Sequence, residues 1–285
     1  MNFISLLPVL YGLGAAGAWG AGDFAGGLAA RRSNALAAVF HAEWLGIIGV
    51  LGAAWLYAEP MLAARVWLWA MLAGAIGSAG LVLLYQAMSD GQMSIAAPVS
   101  ALVAAILPVT VSAVSEGLPG WEKIIGFGLA LLAVWLVSTG ESGPLGMKIA
   151  SWQALRLPFL AGIAFGLYFV LMRDAGRTGL FWPLVASRSG GMAILAVYAG
   201  LTRSSLRVSR PVWPVMLVNA VMDVTANGLY VLAGQVGRLD VAAVLGSLYP
   251  GVTVLLAWLV LKERIRGWQK LGIALALAAI GLIAG

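Results

Sequence analysis

The sequence predicts an all-α membrane protein with ten transmembrane helices in two inverted five-helix repeats. Three observations carry this. The 285 residues are 62% hydrophobic and only 10% charged, too little charge to cover a water-soluble protein of that length. The apolar residues fall into runs of about 20, the length a helix needs to cross a bilayer core of about 30 Å. The second half also repeats the first at a nearly constant offset.

The ten expected spans are 6–29, 34–57, 67–89, 94–114, 121–139, 156–173, 182–201, 212–235, 241–261 and 268–284. The opening "MNFISLLPVLYGLG" has no basic stretch and no A-x-A-like cleavage site, so it reads as the first span and not as a signal peptide. Charged and turn-forming residues mark the breaks: Arg31-Arg32-Ser33-Asn34, Glu59-Pro60, Ser89-Asp90-Gly91, Glu116 to Gly120, and Arg203 to Arg210. The longest break, Gly140 to Trp152, lies at the midpoint. The expected organisation is a first repeat over 1–140, a linker over 141–152 and a second repeat over 153–285.

The repeat is seen most clearly at the ends of the halves. "SEGLPGWEKIIGFGLALLAVWL" (Ser115–Leu136) aligns with "KERIRGWQKLGIALALAAIGLI" (Lys262–Ile283). Glu116 falls on Glu263, Gly120 on Gly267, Trp121 on Trp268 and Lys123 on Lys270. "MLAGAIGSAGLVLLY" (Met71–Tyr85) lies over "MLVNAVMDVTANGLY" (Met216–Tyr230), Ser100 over Ser247 and Arg31 over Arg177. Five spans per half is an odd number, so the second copy enters the membrane upside down. Inverted repeats of this kind place a substrate site near the midplane between the halves.

Each half ends in Glu, a short loop, Gly-Trp and an apolar helix. With "YPGVTVLLAWLVLKERIRGWQKLGIALALAAIGL" (Tyr249–Leu282) and "AWGAGDFAGGLAARR" (Ala18–Arg32), the whole chain resembles the EamA-type transporters of the drug/metabolite transporter superfamily. The resemblance implies a secondary transporter of small metabolites or drugs, with helices four and nine lining a central pathway. It also implies helix-end roles for Glu116 and Glu263, read as loop anchors paired with Lys123, Arg264 or Lys270. One departure is Val103, which stands where the second repeat has Pro250; Pro98 and Pro108 flank it.

Polar residues inside apolar helices nominate the site. Asn219, Asp223 and Asn227 are four apart and share one helix face, which Tyr230 continues. Burying an Asp in a span costs about 2.5–3.5 kcal/mol, so this face meets water, a ligand or another helix. It either lines a cavity or bonds a neighbouring helix. The matching face of the first repeat, Gly74, Ser78, Val82 and Tyr85, is much less polar. Asp23 is a second intramembrane acid that titrates, pairs with an arginine, or caps a helix end near Arg31. Arg188 requires a carboxylate, with Asp223, Asp23 and Glu43 as candidate partners, or anchors a substrate carboxylate. His41, the single histidine, reads as a satisfied buried imidazole. Ser100, Ser247, Tyr249 and Pro250 sit on helices four and nine, and Tyr85 is an aromatic candidate. The candidate substrate-binding or ion-coupling set is thus Asn219, Asp223, Asn227, Tyr230, Asp23, Arg188, Tyr85, Ser100, Ser247 and Tyr249. The expected wall comprises helices one, three, four, six, eight and nine.

Other classes find no support. The chain has no cysteine, no H-E-x-x-H, no G-x-S-x-G and no phosphate-binding glycine loop. No catalytic residue, cofactor or metal is expected. The net charge of +6 is spread over membrane loops, which argues against nucleic acid. The expected function is secondary active export of a small molecule across a bacterial inner membrane by alternating access. The alternatives are an importer or exchanger, or a non-transporting membrane partner. Protons are the expected coupling ion, through Asp223 and Asp23. Small-residue pairs at Gly22/Gly26 and Gly162/Gly166 favour close helix packing and allow a homodimer. Basic residues crowd the loops after odd-numbered helices, including Arg31, Arg32, Arg203, Arg207 and Arg210. That places those loops in the cytoplasm, whereas the family resemblance places both termini there.

Overall fold

The computed structural model describes residues 3–138, 152–261 and 267–284. Among them there is helix and turn but no strand. Eleven α-helices follow in order: α1 Phe3–Arg32, α2 Ala35–Leu56, α3 Ala64–Ala87, α4 Met93–Glu116, α5 Trp121–Ser138, α6 Trp152–Gly176, α7 Phe181–Thr202, α8 Trp213–Val236, α9 Leu239–Gly246, α10 Tyr249–Leu261 and α11 Gly267–Ala284. Seven are long and apolar enough to cross a membrane: α2, α3, α4, α6, α7, α8 and α11. A shorter apolar stretch runs over Leu239–Thr253. Length and apolarity in the described residues therefore establish several spans, though not ten.

Local sequence explains the helix ends. Asn34 caps α2, its side-chain oxygen accepting from the Ala37 N–H at 2.7 Å. Gly117, at φ 80°, turns the chain between α4 and α5 in a conformation that favours glycine. The expected span over 241–261 is not one helix. It breaks at Ser247-Leu248, and α10 restarts with Pro250 in its first turn. A proline tolerates that position because the N–H it lacks has no partner there anyway. In the first repeat Val103 replaces the proline and α4 runs unbroken through Pro98 and Pro108. Its irregularity comes earlier, as a π-helical turn over Met88–Gln92.

Helix pairing follows the repeat. α1 packs along α8, and α3 packs along α6, the same pair with the halves exchanged. α3 crosses α7, and α2 contacts α8. α4 packs on α6, while α9 and α10 pack on α1. Two pairs, α2 with α7 and α5 with α11, join equivalent helices of the two halves. Small residues make these approaches possible. A Cβ on Gly74 would lie 1.7 Å from the Ser187 carbonyl oxygen, and one on Gly190 would lie 1.9 Å from that of Met71. α3 and α7 therefore touch backbone to backbone. Gly22 and Gly26 face α8 and the Tyr85 ring, and Gly162 and Gly166 face α4. Both small-residue faces are thus filled within one chain and are not free to join a second copy.

Candidate functional site

The paired helices enclose a cavity of about 70 Å³, room for roughly half a dozen waters. Its charged lining consists of Asp23 on α1, Glu43 on α2, Arg188 on α7 and Asp223 on α8. Ser78, Ser187, Asn227 and Ser247 add polar groups. Trp19, Phe165, Tyr168, Phe169 and Tyr249 supply aromatic wall. The wall includes α2 and α7 beyond the six helices expected from the sequence, and these two bring half of the charge.

The centre is a three-member ion cluster. Arg188 is 4% exposed. Its Nη1 donates to Glu43 at 3.2 Å and its Nη2 donates to Asp223 at 2.5 Å. Ser78 donates to the other Glu43 oxygen at 2.5 Å. Asn227 donates to the Asp223 carboxylate at 3.1 Å and to its backbone carbonyl at 2.8 Å. The Tyr168 hydroxyl donates to the Asn227 side-chain oxygen at 2.9 Å. Buried charges need this much pairing, since removing one partner of a buried pair costs about 3–5 kcal/mol. Arg188 Nε has no acceptor, although it is buried.

Asp23 stands apart from the cluster. Arg188 reaches Glu43 and Asp223, and among the described residues Asp23 forms no ion pair. It accepts instead from the Tyr85 hydroxyl at 3.3 Å. Asn219 donates to that hydroxyl and to the Gly22 carbonyl, each at 2.8 Å. Asn219, Tyr85 and Asp23 thus form a chain of hydrogen bonds joining α8, α3 and α1.

The expected site residues divide in two. Asp23, Arg188, Asp223, Asn227, Ser247 and Tyr249 border the cavity. Asn219, Tyr85, Ser100 and Tyr230 are buried behind its wall. Ser100 and Tyr249 meet hydroxyl to hydroxyl at 2.9 Å and share the Ala97 carbonyl. Ser247 donates to Val244 at 2.7 Å. Tyr230 packs against Trp19 and Phe169, and its hydroxyl has no partner. The stripe on α8 therefore combines both readings: Asp223 and Asn227 line the cavity, and Asn219 binds neighbouring helices.

One pairing expectation needs correction. Glu116 does not pair with Lys123 or Lys270 but with Arg173, at the end of α6. The family-like spacing pointed to nearby bases, whereas the packing of α4 on α6 brings a distant one. Glu263 and Arg264 lie outside the described residues. His41 is satisfied as expected, though half-buried where the sequence reading has it buried. Trp44 donates to its Nδ1 at 2.7 Å, so Nε2 carries the proton and donates to the Leu206 carbonyl at 2.8 Å.

Sequence reasoning did not select Glu43 for the site, though it named it as a partner for Arg188. A signal was present: the two lie 145 residues apart, within the repeat offset. They face each other because α2 and α7 are equivalent helices packed together. Glu59 was also missed. Its carboxylate accepts from the N–H groups of Leu180, Phe181 and Trp182 at 2.5, 2.8 and 2.8 Å. It thereby caps α7 from a loop more than a hundred residues away.

Membrane-length helices around a charged internal cavity, paired by exchange of two halves, define a membrane transport fold. The family model of the EamA-like transporter family matches the chain twice, over residues 6–139 and 153–285. The chain belongs to that family, within the drug/metabolite transporter superfamily, whose members are transporters. One solved chain, described only as a crystal structure of a protein, superposes with a TM-score of 0.79 at 15% identity. The match covers 96% of this chain and 94% of that one, and at that identity it speaks for the fold alone. No curated protein matches.

Proposed function

We propose that this protein is a secondary active transporter that exports a small molecule across a bacterial inner membrane by alternating access. The observation that carries the reading is the central cavity, whose charged groups come from both halves of the chain: Asp23 and Glu43 from the first, Arg188 and Asp223 from the second. In this reading the halves are two inverted five-helix repeats over 1–140 and 153–285. Ten spans result when α1, α5 and the broken α9–α10 segment join the seven long helices. Asp23, Asp223, Asn227 and Tyr249 contact substrate. Arg188 holds Glu43 and Asp223 in place. Asn219, Tyr85 and Ser100 position the groups that line the cavity. Protons drive transport through Asp23 and Asp223.

The test is flux in proteoliposomes with wild type and Asp223→Asn under an imposed pH gradient. Saturable flux that Asp223→Asn abolishes supports the site, and flux that survives collapse of the gradient removes protons from the scheme. A wild type with no saturable flux for any small molecule overturns the transport reading. The chain has no cysteine, so Ser204→Cys labelled with an impermeant maleimide fixes the side of the α7–α8 loop. With that orientation known, flux in each direction separates export from import or exchange.

A further inference from the structure

Resting on the transport reading, we infer that the cavity selects a small organic cation of the ammonium class. The argument is one of charge. Three carboxylates, Asp23, Glu43 and Asp223, border the cavity against one arginine. That arginine is already committed, with one terminal nitrogen on Glu43 and the other on Asp223. A substrate carboxylate entering here meets a guanidinium that already holds two carboxylates, and it faces three acids. A cation finds Asp23, which holds only a phenol hydroxyl at 3.3 Å.

The rest of the wall suits the same ligand. Trp19 lies four residues before Asp23 on α1, so both point to one face. Trp19 stacks obliquely on Phe169 at 5.3 Å, and Phe165, Tyr168 and Tyr249 complete an aromatic surround. Aromatic faces attract ammonium groups, most strongly when water is excluded. The volume of about 70 Å³ holds only a small ligand. Of the two roles open to Arg188, ion pairing or anchoring a substrate carboxylate, this reading takes the first.

Choline, its zwitterionic relative betaine and its uncharged isostere 3,3-dimethylbutanol separate the possibilities, because they share size and shape. Benzyltrimethylammonium and phenylacetate extend the set to an aromatic cation and an anion. Binding is read by quenching of tryptophan fluorescence and transport by radiolabel uptake into proteoliposomes. The expected result is saturable binding and flux of the cations, with no competition from 3,3-dimethylbutanol or phenylacetate. Asp23→Asn should raise the half-saturation concentration at least tenfold, and Asp23→Glu should restore it. Trp19→Leu keeps every charge and should also weaken the cations; Trp19→Phe keeps an aromatic face and should weaken them less, which separates the aromatic contribution from lost packing. Flux of betaine or phenylacetate in preference to the cations overturns the cation inference and leaves the transport reading standing. Absence of binding and flux across the whole set overturns the cation inference. If a broader panel of metabolites also fails to move, the transport reading falls with it.

Discussion

The α3 and α8 helices occupy equivalent places in the two halves, yet they do different work. α3 presents Gly74, Ser78 and Tyr85, and α8 presents Asn219, Asp223 and Asn227. The first helix provides closeness: a backbone crossing at Gly74, a hydroxyl for Glu43 and a phenol for Asp23. The second provides charge and amides. Duplication preserved the way the helices pack, while the chemistry of the equivalent faces diverged. Packing is over-determined by shape, and a cavity's polarity is free to change so long as every buried group finds a partner.

The largest effect expected along this contrast comes from Arg188→Met. It strands Glu43 and Asp223 together, a loss of about 3–5 kcal/mol. Purified protein should melt far lower or fail to stay monodisperse in detergent. Adding Glu43→Gln and Asp223→Asn to that variant should recover much of the loss. Full recovery of transport by the neutral triple variant would show that the cluster serves packing alone. Gly74→Ala comes next. Its new carbon overlaps the Ser187 carbonyl, so α3 and α7 must separate, at a cost of about 1–3 kcal/mol for overpacking. Ser78→Ala leaves the crossing intact and should cost less, so the two variants divide closeness from hydrogen bonding on one helix.

The ends of the bundle extend the comparison. The α2–α3 loop caps α7 with the Glu59 carboxylate on three backbone N–H groups. Among the described residues, the equivalent α7–α8 loop hydrogen-bonds to the start of α2 through the Ser205 carbonyl, which accepts from Asn34 at 3.0 Å, and the Leu206 carbonyl, which accepts from His41. Charged hydrogen bonds at a helix N-terminus are worth about 1.5–3 kcal/mol. Glu59→Ala should therefore lower the melting temperature and speed amide exchange at Leu180 to Trp182. Asn34→Ala should cost about 1 kcal/mol through lost capping of α2. Equal exchange rates at the two helix starts in wild type would remove the asymmetry. Of similar size is the effect of Asn219→Leu, which removes two interhelical hydrogen bonds at about 0.6 kcal/mol each in a membrane. Thermal unfolding measures it.

Much of this was legible in the sequence because apolar length and self-similarity are local quantities. The spans follow from runs of about 20 residues, and the four-residue spacing of Asn219, Asp223 and Asn227 gave one face. A helical face does not say which neighbour it meets. That is why Asn219 proved to bind Gly22 and Tyr85 while Asp223 and Asn227 met the cavity. The break at Ser247-Leu248 was hidden in an apolar stretch marked by Gly246, Ser247, Pro250 and Gly251. The Glu59 cap and the Glu116–Arg173 pair join positions 121 and 57 residues apart. No window of sequence contains both ends of either contact.

The pairing of α1 with α8, and of α3 with α6 and α7, has a consequence for biosynthesis. The main partners of α1 and α3 lie in the other half of the chain. At about 5–20 residues per second, Arg188 follows Glu43, 145 residues earlier, out of the ribosome by roughly seven to thirty seconds. Through that interval the helices already made lack the seams that later hold them, with Asp23 and Glu43 still without Asn219's relay and Arg188. Assembly of this protein is therefore an event of the completed chain, in which the last helices made release the first from waiting.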